Sequence, residues 1–320
     1  MTLLLLSLLA CSGDKQGDTA PATNTGTDPT DDTGTETTPP AVWVSLSLSA
    51  NVTALTTRDV ATLTATATDD AGATLDVTGE VSWSSSAPLL LDVFTSGVAQ
   101  PIDPGTATVT ATFDGSLTAT VDLTVTLAAA QAGDLVFNEV LVDATVDGDP
   151  NGDGTVDATQ DEYVEIASVR ATVDLSGVTI IEDDFPFLPR HTFAPGTVLH
   201  AGEVIVVFGG GDVSTLSADN ASFYVANAED AGLEYGLSLE NSAETVLLMA
   251  PDATTILASI AYGTDETPVV EDASLVLDPE VVGTEYTHHL YAPDSAGAYS
   301  PGTMVTGTAF PGPVGWYQTH

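Results

Sequence analysis

Basic residues are almost absent from this 320-residue chain, in which 4 Lys and Arg stand against 46 Asp and Glu for a formal net charge of −42. Holding phosphate on nucleic acid or at an anionic lipid surface takes clusters of Lys and Arg, so the composition supports no nucleic-acid partner. Most carboxylates also lack any cationic side chain to pair with. Their repulsion opposes a compact state unless ions relieve it, which points to an exported protein working in a salty or divalent-rich medium. The only cysteine is Cys11, so no intrachain disulfide can form. Catalytic signatures are missing too. There is no Gly-x-Ser-x-Gly, no His-Glu-x-x-His and no P-loop, and Gly209-Gly210-Gly211-Asp212 lacks the Lys and the helix that phosphate binding requires. His191, His200, His288 and His289 are scattered, and the adjacent pair would face opposite sides of a strand. No segment carries a convincing 3.6-residue apolar stripe.

What is present is 43% hydrophobic residues set among Thr, Ser, Gly and Ala, too apolar for wholesale disorder and suited to many short strands. Residues 1–10 form an apolar run too short to span a bilayer, ending in Leu8-Leu9-Ala10 directly before Cys11. This pattern resembles the lipobox of bacterial lipoproteins. The resemblance implies a signal peptide over 1–10, acylation of Cys11 and stable anchoring of the mature chain in a membrane. Ser12 after the cysteine resembles the outer-membrane sorting pattern of such lipoproteins. The remainder of 11–40 is rich in Thr, Asp, Gly and Pro without apolar periodicity, and reads as a disordered tether.

Between Val42 and Leu127 the apolar period becomes two. Ala61, Leu63, Ala65 and Ala67 alternate with Thr, as do Ala107, Val109, Ala111 and Phe113, and Leu117 to Val125. Turn signals at Asp69 to Gly72, Ser96-Gly97, Pro104-Gly105 and Asp114-Gly115 separate the runs, which predicts an antiparallel sandwich. Val81-Ser82-Trp83-Ser84-Ser85-Ser86, Ser96-Gly97-Val98 and Pro104 to Ala111 resemble a bacterial immunoglobulin-like group 2 domain over 41–128. The resemblance implies that Trp83 sits in the core between the sheets.

Ala128 to Ala132 reads as a small-residue hinge. Beyond it, strand-like runs recur at Leu135 to Val140, Glu162 to Ile166, Val173 to Ile181, Val198 to Phe208, Ser222 to Ala226, Glu244 to Met249, Thr255 to Tyr262 and Ala273 to Leu277. The expected fold class is therefore all-β, two tandem immunoglobulin-like sandwiches after the signal and tether. Between the first two of these runs lies DGDPNGDGTVDATQDE, residues 147–162. Asp149, Asn151 and Asp153 stand two apart, Gly154 lets the Thr155 carbonyl turn inward, and Asp157 falls at the ninth place. That is the ligand spacing of a Ca²⁺ loop, since a hard dication takes about six to eight oxygens. Gln160 stands where an EF-hand has its closing Glu, so Asp161 or Glu162 would close the shell. The alternative is a solvated acidic turn in a chain rich in Asp, Gly and Thr.

Phe137-Asn138-Glu139-Val140, Asp161 to Ile166, Asp174-Leu175-Ser176-Gly177, Ala201 to Val204, Gly236 to Asn241 and Ser300-Pro301-Gly302-Thr303 resemble the lamin-tail domain family over 133–318. The resemblance implies an immunoglobulin-like sandwich used for binding or tethering. Together these readings give a lipid-anchored protein of the bacterial cell envelope, an outer-membrane lipoprotein. It would be without catalytic activity, stabilised by structural Ca²⁺ on Asp149, Asn151, Asp153, Thr155, Asp157 and Asp161, and partnered by an envelope protein or glycan. Whether it faces the cell surface is open. The alternative is an accessory or targeting module for an exported hydrolase or nuclease.

Overall fold

Alternation of apolar residues with Thr builds the first sandwich. The computed structural model describes residues 42–142, 148–183, 189–227, 236–269 and 272–319. Cys11, the 1–10 segment and the 11–40 tether lie outside the described residues. Nine strands come first, β1 (Trp43–Ala50), β2 (Ala54–Thr56), β3 (Ala61–Asp69), β4 (Thr74–Asp76), β5 (Ser82–Ser85), β6 (Leu91–Val93), β7 (Val98–Pro101), β8 (Gly105–Phe113) and β9 (Leu117–Thr126). One sheet runs β1-β3-β7-β6 with β4 on β3, and the other runs β2-β9-β8-β5. The chain changes sheet at its start, since β1 pairs antiparallel with β3 while β2 pairs parallel with β9. This is an immunoglobulin-like arrangement. Ala61, Leu63, Ala65 and Ala67 of β3 are buried with Ala107, Val109, Ala111 and Phe113 of β8. Trp83 is half-buried, packs against both halves of this core, and donates its indole N–H to the Thr78 carbonyl at 3.3 Å.

The segment expected to be a hinge is instead paired. β10 (Ala128–Ala129) runs parallel to β13 (Val173–Asp174), which pairs in turn with β16 (Val198–Leu199). Small side chains suit a hinge and a closely approached strand equally, and here contacts from distant residues decide. Thr57 and Thr172 are fully buried where the sandwiches meet. The Thr57 hydroxyl accepts from Ala128 N–H at 3.0 Å and donates to the Thr172 carbonyl at 2.5 Å, and the Thr172 hydroxyl donates to the Ile102 carbonyl at 2.5 Å. Arg58 adds an ion pair to Asp134 and donates to the Ala129 carbonyl at 2.8 Å.

The second sandwich comprises β11 (Leu135–Leu141), β12 (Tyr163–Ser168), β14 (Thr179–Glu182), β15 (Pro189–Thr192), β17 (Val204–Phe208), β18 (Ala221–Val225), β19 (Glu244–Met249), β20 (Ile256–Tyr262), β21 (Leu275–Asp278) and β22 (Glu285–His288). Its six-stranded sheet has the order β18-β17-β12-β11-β21-β22 and its four-stranded sheet β15-β14-β19-β20. Val140, Val164, Ile166, Ile205 and Val207 face the four-stranded sheet across one large core. The runs expected at 173–181 and 198–208 are each broken by a turn, at Gly177 and at Gly202, both with positive φ. A Cβ on Gly202 would overlap Gly312 and Trp316, which fixes the sharpness of that turn.

Residues 289–319 cover the outer face of the six-stranded sheet. Phe310 and Trp316 are buried there with Ala167, Ala201 and Val204. Trp316 lies on a short helix, α1 (Gly312–Thr319), where the sequence analysis found no helical stripe. An eight-residue helix that buries a single large side chain leaves too little periodicity to read. Among the described residues no helix is long and apolar enough to cross a membrane.

Candidate functional site

The described part of the acidic loop, residues 148–162, runs directly into β12, so the sheet fixes its C-terminal end. Within it the carboxylates cap the turns of their own backbone. Asp149 accepts from the N–H groups of Asp153 at 3.1 Å and Gly154 at 2.8 Å. Asn151 Oδ1 accepts from Asp153 N–H at 3.0 Å, and Asp153 Oδ1 from Thr155 N–H at 2.7 Å. Asp157 Oδ1 accepts from Thr159 and Gln160, both at 3.0 Å. Thr155 is exposed.

Asp161 and Glu162, which lead into β12, point in opposite directions. Asp161 is 0% exposed and turns back to the loop, where its Oδ2 accepts from Asp157 N–H at 2.7 Å. Its Oδ1 is buried with no partner in hydrogen-bond geometry. Burial, with the facing charges of Asp149 and Asp153, raises this carboxyl to a pKa of about 6 against the pull of the Asp157 and Asn151 N–H groups. Glu162 points away, accepting from Leu239 N–H at 3.1 Å. Burial raises it to about 9, and the charges of Glu182 and Glu244 add to that. Asp161, and not Glu162, is therefore the residue directed at the loop.

The loop seats on the turn after β17. Gly210 N–H donates to the Gln160 carbonyl at 3.0 Å and Gly209 N–H to the Glu162 carbonyl at 2.8 Å. A Cβ at Gly209 would overlap the Thr159 carbonyl, and one at Gly211 would overlap the Asn151 amide. The three glycines that the sequence offered as a loop at a strand end are thus a seat for the acidic loop. Among the described residues no three His, Cys, Asp or Glu side chains are grouped to hold an ion by themselves. An ion here would draw on Asn151 and main-chain oxygens as well as on the Asp carboxylates. The donor set is all oxygen, and a buried unpartnered carboxylate oxygen stands at its edge. Both fit a hard dication.

A second polar cluster lies on the outer face of the six-stranded sheet, and motif reasoning did not find it. Glu139 and Glu165 are cross-strand partners on β11 and β12, and both are 0% exposed. Glu139 Oε1 accepts from Tyr163 OH and Ser274 Oγ, each at 2.5 Å, and from Ser300 N–H at 2.9 Å, while Oε2 accepts from Ser300 Oγ at 2.9 Å. Glu165 accepts from Gly302 N–H at 2.7 Å and Asn138 Nδ2 at 2.8 Å. Glu280 accepts from Val305 N–H at 3.0 Å. Burial, reinforced by the Glu139 charge, holds Glu165 well above the ordinary carboxylate range and brings Glu280 up to about 7. The sequence signal was faint, consisting of Glu139 and Glu165 at outward positions of strands whose other outward residues are apolar.

His289, Ser300 and Glu139 superficially resemble a hydrolytic triad. His289 Nε2 is 2.9 Å from Ser300 Oγ, but its Nδ1 faces the Gly297 carbonyl at 2.8 Å and Ser295 Oγ at 2.9 Å. The acid bonds the serine and does not orient the imidazole, and both Glu139 and His289 are buried, so the geometry does not serve acyl transfer. The other histidines are dispersed. His191 is buried against Phe193 and Tyr224, which lowers its pKa to about 4. His200 bridges Asp103 at 3.1 Å and Glu203 at 2.8 Å, and the Glu203 bond leads in raising it.

No curated protein matches the sequence. Among solved structures the chain is similar to domains 5-6 of the S-layer protein SbsC, at 16% identity and a TM-score of 0.24, covering 69% of this chain and 96% of that one. It is likewise similar to domains 4 and 5 of the same protein, at 18% identity and a TM-score of 0.24, covering 69% and 98%. Likeness of that degree fixes neither fold nor function. The family model described as Lamin Tail Domain matches residues 128–264, from β10 to just past β20.

Proposed function

We propose that this chain is a lipid-anchored protein of the bacterial cell envelope, in the outer membrane, which works by contact with an envelope protein or glycan and not by turnover. Its acidic loop binds Ca²⁺ structurally. The observation that carries the metal reading is Asp161, which is fully buried and whose Oδ1 lacks a partner in hydrogen-bond geometry, with the Asn151 N–H nearby and the charges of Asp149 and Asp153 facing it. A buried unpaired carboxylate oxygen is expensive, and a bound cation relieves it. Asp149, Asn151, Asp153, Asp157 and Asp161 would supply side-chain oxygens and Thr155 its carbonyl. The ion would neutralise their charges and hold the loop in one shape. The non-catalytic reading draws support from the use of the polar residues, because Glu139, Glu165, Ser300 and His289 are consumed in holding the chain to itself. Membrane attachment rests on the Cys11 context.

Calorimetry on the full chain should detect Ca²⁺ binding in the range of about micromolar to millimolar that such loops span. Asp149→Ala combined with Asp153→Ala should abolish it, and unchanged binding in that double variant would refute the site. Mass spectrometry of protein from a lipidating host should find diacylglycerol on Cys11. Clear turnover of a glycan, phosphoester or nucleic-acid substrate, abolished by a point mutation, would overturn the non-catalytic reading and favour an enzyme.

A further inference from the structure

Besides the turn at 213–216, whose Thr215 hydroxyl donates to the Gly152 carbonyl at 3.5 Å, the acidic loop touches the C-terminal segment that covers the outer face. Tyr299 is that contact. Its ring edge lies 3.1 Å from where a Cβ on Gly148 would stand, and its hydroxyl hydrogen-bonds the backbone of Asp149. Burial raises the phenol, and the charges of Asp161, Asp149 and Asp272 add to this. On its other side Tyr299 packs with Leu141, Tyr163, Val206 and Phe208. The next residue, Ser300, is held by Glu139 through both its N–H and its hydroxyl. Gly302 and Val305 follow on Glu165 and Glu280, so two carboxylates of the sheet and one just past β21 grip three main-chain N–H groups of one strap.

We propose that the loop and this strap form one switch, in which Ca²⁺ seated in the loop fastens residues 298–305 over the six-stranded sheet and its removal loosens them. The inference rests on the calcium reading above and adds the element that the ion controls. The physical link is short. Without the ion, Asp149 and Asp161 repel each other beside the Tyr299 hydroxyl, and the backbone that this hydroxyl bonds is free to shift. With the ion, those charges are neutralised and the Gly148–Asp149 backbone is fixed, which gives Tyr299 a firm seat. The strap is anchored next door, so ordering Tyr299 orders Ser300 and the turn behind it.

Amide hydrogen exchange on the full chain, with Ca²⁺ and with chelator, tests the switch, while calorimetry separately reports whether the ion binds. Exchange at residues 298–305 should slow by about tenfold with Ca²⁺, within the usual span of coupling between sites, whereas peptides from β8 and β9 should not change. Coupling is reciprocal, so Tyr299→Phe should weaken Ca²⁺ binding by the same factor and shrink the exchange effect. Tyr299→Ala should remove the exchange effect. Should that variant fail to fold, the Phe variant, which loses only the hydroxyl, carries the test. Heat of binding with unchanged exchange at 298–305 would sink the switch and leave the calcium site standing. No heat of binding, with intact protein, would sink both.

Discussion

Asp161 and Glu162 are neighbours just before β12 whose side chains point in opposite directions, and only the three-dimensional arrangement separates them. The spacing of Asp149, Asn151, Asp153 and Asp157 was legible because turn chemistry is local. Which of the two acids turns toward the loop was not, because the answer depends on how the chain enters β12. Asp161→Asn should weaken Ca²⁺ binding by at least about tenfold while making the ion-free protein more stable by about 1 kcal/mol, since it removes a buried unpaired charge-bearing oxygen. Calorimetry and thermal melts in chelator read the two effects, and a loss of both affinity and ion-free stability would contradict this account. Gly302 is as demanding. It holds φ +81°, and a Cβ there would overlap the Phe223 ring. Gly302→Ala should cost about 2 kcal/mol or more in denaturant unfolding, and a neutral substitution would mean the strap is not seated as described.

At the scale of elements, the period-two alternation in β3, β8 and β9 was readable because one face of each strand is buried and the other carries Thr. The second sandwich was harder. Both faces of β11, β12 and β17 are covered, one by the four-stranded sheet and the other by the C-terminal strap and α1, so these strands read as nearly continuous apolar runs. β10 escaped notice because two alanines carry no pattern, and their partner Val173–Asp174 lies far along the chain. Glu139 is the test of this layer. Replacing it with Ala would strand Tyr163 OH, Ser274 Oγ and Ser300 N–H in a dry site. Unfolding free energy should fall by about 3 kcal/mol or more, with the exchange of 298–305 accelerated far beyond that of the first sandwich.

For the molecule as a whole, charge sets the conditions under which it is most stable. Glu280, raised to about 7, and Glu165, also raised well above the ordinary carboxylate range, bind protons more tightly folded than unfolded. The stability they add is full below the ordinary carboxylate pKa and is lost as pH rises through the folded values. His200, also raised, adds stability below its unfolded pKa that disappears as pH climbs through the folded one. His191 opposes them, since its depression to about 4 removes stability as pH falls from the ordinary histidine value. Asp161 and Glu162 are raised as well, so the raised groups outnumber the lowered histidines His191 and His288, and protonation also relieves the net charge of −42. The melting temperature should therefore be higher near about pH 6 than near about pH 8, and Glu280→Gln should flatten that slope. Added salt should raise the melting temperature at the higher pH more than at the lower, because screening acts where more carboxylates are ionised.

The matched family segment ends at residue 264, yet β21 supplies a strand beside β11, and the Glu139 and Glu165 carboxylates find their donors at residues 274, 300 and 302. A clone trimmed at that sequence-defined boundary would bare two acids and a row of aliphatic side chains that have no substitute covering. Such an excised fragment should precipitate or stay unfolded on expression, whereas one extended through Trp316 should yield soluble material. For this protein the practical limits of the folding unit are set by its final fifty residues and not by the stretch that identifies its kinship.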